Sequence, residues 1–181
     1  MACYKPINPF TDLKPGDQIA IRSLFGNLHA SLKHLYKVIS SNNYYYHHGV
    51  YLGPDDHEVV HFYGETSADA RPCKIDLWAF VQNGEDNQLY RVDHEGEVLP
   101  INETLQKAKE VLVKDETNDK EKWPGYNIIW NNCENLASWL KIGKKVSYQA
   151  KEVVIRGGIS ASAASVAIIG SIAGSIAMIR K

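Results

Sequence analysis

Cysteine is scarce in this chain, and the three that occur, Cys3, Cys73 and Cys133, stand far apart with no CxxC pair and no metal spacing. An odd number of scattered thiols argues against a disulfide framework and fits a reducing compartment. Charge of one sign is missing too. The formal net charge is -1, so no field over the whole molecule draws it to nucleic acid. The opening residues, MACYKPINPF, have neither the apolar core of a secretory signal nor a Gly after Met for myristoylation. The expectation is a cytosolic catalytic part. There is no internal repeat of solenoid or propeller length.

What remains is the composition of one soluble domain with an appendage. LKPGDQIAIRSL opens with a Pro-Gly turn and alternates like a strand. GNLHASLKHLYKVISS places Leu28, Leu32, Leu35, Tyr36 and Ile39 at helical spacing, an amphipathic helix that is either a lid, a membrane contact or a packed surface helix. YYYHHGVYLG and HEVVHFYGE, joined by PDD, form an expected antiparallel hairpin. Glu65 to Phe80 reads as irregular, and NQLYRVDH as another strand. INETLQKAKEVLVK is an expected helix with Asn102 as N-cap, followed by a charged loop, DETNDKEKWPG. YNIIWNNCENLASWLKIG runs from a short strand into a helix that buries Leu136 and Leu140 and stops at Gly143.

The last stretch changes character. From Ile159 to Ile179 there is no charge, and Arg180 and Lys181 follow. As a helix this run would span about 31 Å, close to the hydrocarbon core of a bilayer. Gly170 and Gly174 make a GxxxG pair suited to close helix contact. Lys141, Lys144, Lys145, Lys151 and Arg156 precede it, with Glu152 the only acid among them. Basic residues beside anionic lipid contribute about 1 kcal/mol each. A membrane anchor is the preferred reading of the tail, against a packed small-residue helix or a disordered end.

Cys133 stands where strand turns to helix, and the unpaired N–H groups of a first helical turn favour a thiolate nucleophile. By itself it reads more readily as a buried structural cysteine. Along the strand, His47, Gly49, Tyr51 and Gly53 share one face, and His48, Val50 and Leu52 the other. The Val-Leu face reads as core, which makes His48 a packed histidine. The glycines leave open space beside His47. His61, on the next strand, is brought near it by the hairpin. A thiol needs a base, and the base needs an orienting partner. Cys133, His47 and His61 could fill those three roles.

KPGDQIAI, HHGVYLG, VVHF and NNCEN occur in the order and rough spacing of the lecithin:retinol acyltransferase-like family, a circularly permuted branch of the papain-like NlpC/P60 superfamily. The resemblance covers roughly Leu13 to Gly143. It implies an α+β fold, a small antiparallel sheet packed against helices that include the nucleophile-bearing one. It places the nucleophile on Cys133, the general base and acid on His47, facing the thiol, and the base's orienting partner on His61. Relatives commonly read Asn-Cys-Glu-His-Phe where this chain has Asn132-Cys133-Glu134-Asn135-Leu136.

The organisation expected is a lead-in over 1–12, a thiol acyltransferase domain over 13–150 and a membrane-associating tail over 151–181. The implied activity is acyl transfer from a glycerophospholipid through a Cys133 thioester to water, an amine or an alcohol. No cofactor or metal is implied, nor is nucleic acid. The setting would be the cytosolic face of an intracellular membrane. Two alternatives stay open: a non-catalytic membrane-remodelling or tethering protein, and a cysteine amidase or peptidase. Oligomeric state is not fixed by any of this.

Overall fold

A computed structural model describes residues 2–24, 44–64, 69–116 and 131–156. The amphipathic helix expected over Leu28–Ile39, the apolar run Ile159–Ile179 and most of the charged loop lie outside these residues. Among the described residues no helix is long and apolar enough to cross a membrane.

The fold is α+β, built on one six-stranded sheet. Its strands are β1 (Ala2–Ile7), β2 (Gln18–Leu24), β3 (Tyr44–Tyr51), β4 (Glu58–Tyr63), β5 (Arg71–Asp76) and β6 (Leu89–His94). They lie in the order β1-β6-β2-β3-β4-β5, and every neighbouring pair is antiparallel. The helices are α1 (Leu77–Gln82), α2 (Ile101–Glu116), α3 (Cys133–Ile142) and α4 (Tyr148–Arg156).

Local chemistry sets most of these boundaries. Gly16, at φ 77°, makes the turn before β2, and its N–H bonds to the Tyr51 carbonyl at 2.8 Å. The β3–β4 hairpin closes through Leu52 N–H to the Glu58 carbonyl at 2.9 Å, with Gly53 at φ 135°. Asp76 caps α1, its carboxylate accepting from the N–H groups of Trp78 and Ala79. Asn132 and Asn135 form a reciprocal capping box at the start of α3, at 2.9 and 3.1 Å. Gly143, at φ 71°, ends it.

Three expectations change. The stretch read as irregular contains β5 and the start of α1, and the lead-in contains β1, an edge strand paired with β6. Asn102 does not cap α2; the helix has already begun at Ile101.

Both faces of the sheet are covered. On one face Val50, Val60 and Phe62 pack against Ala108 and Val111 of α2 and Leu136 and Leu140 of α3. Against the opposite face α1 packs Leu77 and Phe80 on Ile19, Ile21, Tyr51 and Val59. The glycine-bearing side of β3 is therefore not open space. A Cβ at Gly49 would stand 2.3 Å from Val59 Cγ1 and 3.3 Å from Phe80 Cε2. Glycine here permits close approach of a second apolar layer.

Candidate active site

Cys133 is the first residue of α3, fixed there by the Asn132 cap. Its side chain is buried, 4% exposed, within the cluster of Val50, Val60 and Leu136. Burial pushes its pKa up to about 12, although backbone N–H groups of His48 and Glu134 face the sulfur and favour the thiolate. The thiol is thus neutral at rest, because burial outweighs the N–H groups that favour the charged form.

The edge of β3 explains how the sulfur reaches the strand. In a β-strand, N–H and C=O of alternate residues point to the same side, so Tyr46, His48 and Val50 share one edge. β4 pairs with β3 over Gly49–Tyr51. Beyond that, Cys133 meets the N–H of His48. At Tyr46 the side chain of Gln149 takes over, accepting from the N–H at 2.7 Å and donating to the carbonyl at 2.9 Å. Three different parts of the chain complete one strand edge in succession.

His47 and His61 come together directly. His47 Nε2 lies 2.9 Å from His61 Nδ1. Gly49 is the registered partner of His61, so the bond runs diagonally across the hairpin. Phe80 supports both rings, with centroids at 5.6 Å from His47 and 5.9 Å from His61, and Tyr63 stacks on His61. Burial lowers the pKa of His47 to about 4, with a smaller push from His48. Burial lowers that of His61 to about 3, reinforced by His47. Both rings rest neutral.

The thiol and the two rings approach β3 from different faces. Cys133 clusters with Val50 and Val60 beneath α3, whereas His47 and His61 rest on Phe80. Consecutive residues of β3 link the two: His47 carries the imidazole, and the N–H of His48 faces the sulfur, just where β3 has parted from β4. Tyr45, two residues before His47 on the same side of the strand, also feels the thiol. Burial raises its phenol pKa first, and Cys133 adds to it.

His48 is fully buried, as the Val-Leu face of the strand suggested. Its ring nitrogens are engaged by Gln18 at 3.1 Å, and by Gln149 at 3.2 Å and Tyr4 at 3.3 Å. Glu134, beside the nucleophile, is also buried. Its carboxylate accepts from Ser147 Oγ at 2.6 Å, and from the N–H groups of Tyr148 at 3.0 Å and Gln149 at 3.2 Å. It thereby holds the start of α4 against the nucleophile helix. Burial raises its pKa, and these donors oppose the shift. Sequence reasoning assigned no role to Glu134, Gln149, Tyr45 or Phe80. Glu134 stood inside NNCEN and Tyr45 inside YYYHHGVYLG, whereas Gln149 and Phe80 are linked to the site by contacts far apart in sequence.

Among the described residues no group of His, Cys, Asp and Glu could hold a metal ion. No curated protein matches the chain. Residues 12–146 match the family described as Lecithin retinol acyltransferase, a family of acyltransferases and phospholipases. A strand histidine paired to a second histidine, with an N-capped helix cysteine at the adjoining residue, lies within that match, and the chain belongs to this family.

Proposed function

We propose that this protein is a thiol phospholipase A/acyltransferase, with Cys133 as nucleophile, His47 as general base and acid, and His61 as the partner that orients His47. The observation that carries this reading is the 2.9 Å His47–His61 hydrogen bond, set one residue from the N–H that meets the thiol. If His47 donates from Nε2 to His61 Nδ1, its Nδ1 keeps a free lone pair for the thiol proton. Order along the chain, base strand before nucleophile helix, accords with circular permutation of a papain-like domain.

The thiol at about 12 and the imidazole at about 4 do not form an ion pair at rest. Proton transfer therefore accompanies attack. Sulfur bonds to the ester carbonyl carbon of a glycerophospholipid as His47 takes the thiol proton. The carbonyl π electrons move to oxygen, where N–H groups at the start of α3 oppose the negative charge. Collapse breaks the C–O bond, and the lysophospholipid leaves with the proton from His47. A water, amine or alcohol then gives its proton to His47, attacks the thioester, and releases the acyl product. Cys133 recovers its proton from His47.

The apolar run Ile159–Ile179 and the basic residues before it would hold the enzyme at the cytosolic face of a membrane, where its substrate resides.

The test is intact-mass spectrometry after brief mixing with phosphatidylcholine of defined acyl chains, beside Cys133→Ala and His47→Ala. The expected result is one added acyl mass mapping to Cys133 and lost in both variants. Folded protein that yields neither adduct nor lysolipid would overturn the enzymatic reading and favour a membrane-remodelling role.

A further inference from the structure

Gln149 lies just past the residues that match the family, yet its side chain touches both elements that must be aligned for the reaction. On β3 it bonds both backbone polar groups of Tyr46, at 2.7 and 2.9 Å, as a neighbouring strand would. Its Nε2 also reaches His48 Nε2 at 3.2 Å and Glu134 Oε2 at 3.3 Å. Glu134 follows Cys133 on α3 and fixes the N-terminal end of α4 through Tyr148 and Gln149 N–H. One amide thus spans the strand that carries His47 and the helix that carries Cys133.

The strand needs such a span. β4 supports β3 from Gly49 onward, and His47 lies upstream of that support. Without Gln149 the Tyr46 N–H and C=O would lose the partners that a neighbouring strand gives them. β2 holds the opposite edge of β3 at these residues, so the loss would be relieved by a tilt of the strand about that pairing, and the tilt would carry His47 with it. A displacement of about 1 Å at a reacting group can cost on the order of 100-fold in rate.

We propose that Gln149 is a positioning residue, a side-chain substitute for β4 that sets the distance between His47 and Cys133. This rests on the acyl-transfer reading for its rate consequence, though not for its geometry.

Two variants test it. Gln149→Met keeps the length and removes the two hydrogen bonds to Tyr46 together with those to His48 and Glu134. Gln149→Glu keeps the acceptor, and its protonated form also restores a donor to the Tyr46 carbonyl. The groups facing that position are Glu134 from α3 and His48 from β3, with His94 of β6 behind Gln18; Tyr148 and Lys151 flank it on α4. Beside Glu134 the new carboxyl would hold its proton more readily than in water.

The measurements are the rate of Cys133 acylation by phosphatidylcholine across pH, and the rate of Cys133 alkylation by iodoacetamide. Gln149→Met should acylate roughly 10- to 100-fold more slowly, with an unchanged half-saturating lipid concentration. Gln149→Glu should regain rate relative to wild type as pH falls. Alkylation should rise several-fold in Gln149→Met, because the strand edge and the start of α4 that flank the buried thiol lose the tie between them. Wild-type acylation in Gln149→Met would overturn the proposal, as would equal impairment of both variants at every pH. If the wild-type chain makes no acyl adduct, the enzymatic reading fails by itself. Alkylation then decides: an increase supports the clamp, and an unchanged rate overturns it.

Discussion

His47 and His61 are joined by one hydrogen bond, Nε2 to Nδ1 at 2.9 Å, that crosses from β3 to β4. It fixes the ring plane and the tautomer of His47 together. His61→Ala should therefore slow Cys133 acylation by about 10- to 100-fold without abolishing it, whereas His47→Ala should abolish it. His61→Gln retains a hydrogen-bonding group and should recover part of the loss. Rapid-quench mass spectrometry of the acyl-enzyme gives these rates, and an unimpaired His61→Ala would remove His61 from the mechanism.

Acid should destabilise the fold through its buried histidines. Burial lowers His47 to about 4 and both His48 and His61 to about 3, against about 6.5 in an unfolded chain. Below pH 6.5 the unfolded state therefore binds protons that the native state refuses. Their contribution is fully present above pH 6.5 and is lost as pH falls toward 4 and then 3. Each histidine can add a slope of up to about 1.4 kcal/mol per pH unit in that window. Urea unfolding at pH 7.5, 5.5 and 4.5 should show a steep fall, and a flat profile would mean that these rings are not held neutral by burial.

Gly49→Ala should destabilise the protein by about 1–3 kcal/mol, because the new methyl meets Val59 Cγ1 at 2.3 Å and the Val60 carbonyl at 3.1 Å. Phe80 is the third neighbour, at 3.3 Å, and it also carries the His47 ring. A shift of Phe80 would therefore slow acylation as well as lower the unfolding midpoint. Chemical denaturation alongside the acylation assay would separate a purely structural cost from this joint one.

α4 extends to Arg156, so a chain ending there keeps the Glu134 and Gln149 contacts. Such a chain keeps the basic residues but loses the apolar run, so it should fail to float with neutral phosphatidylcholine liposomes, yet acylate Cys133 on detergent-dispersed lipid at close to the full rate. Flotation equal to that of the intact chain would rule out the tail as the anchor.

Much of the site was legible from local rules. Period-two alternation set His47 apart from His48, and the Val-Leu side did prove to be core. The cap at Asn132 and the stop at Gly143 marked out the cysteine helix, because caps act within a few residues of one another; the short strand expected ahead of it, YNIIW, lies outside the described residues. β5 was harder to see: RPCKID has a proline and no clean alternation, and only pairing with β4 makes it a strand. β1 was missed for the same reason, since ACYKPI is held in place by β6, far away in sequence.

The sequence by itself thus determined the secondary elements with strong local periodicity, the helix caps, the family, and the histidine and cysteine residues that stand out within it. Tertiary structure alone decided that Phe80 fills the glycine side of β3, that β4 parts from the strand ahead of His47, and that Glu134 and Gln149 bind the exposed edge to the cysteine helix. Caps and alternation are rules between neighbours in sequence. A buried carboxylate or an amide on a strand edge is placed by whatever donor or acceptor the folded chain must satisfy, and that partner can lie a hundred residues away, as Tyr46 does from Gln149.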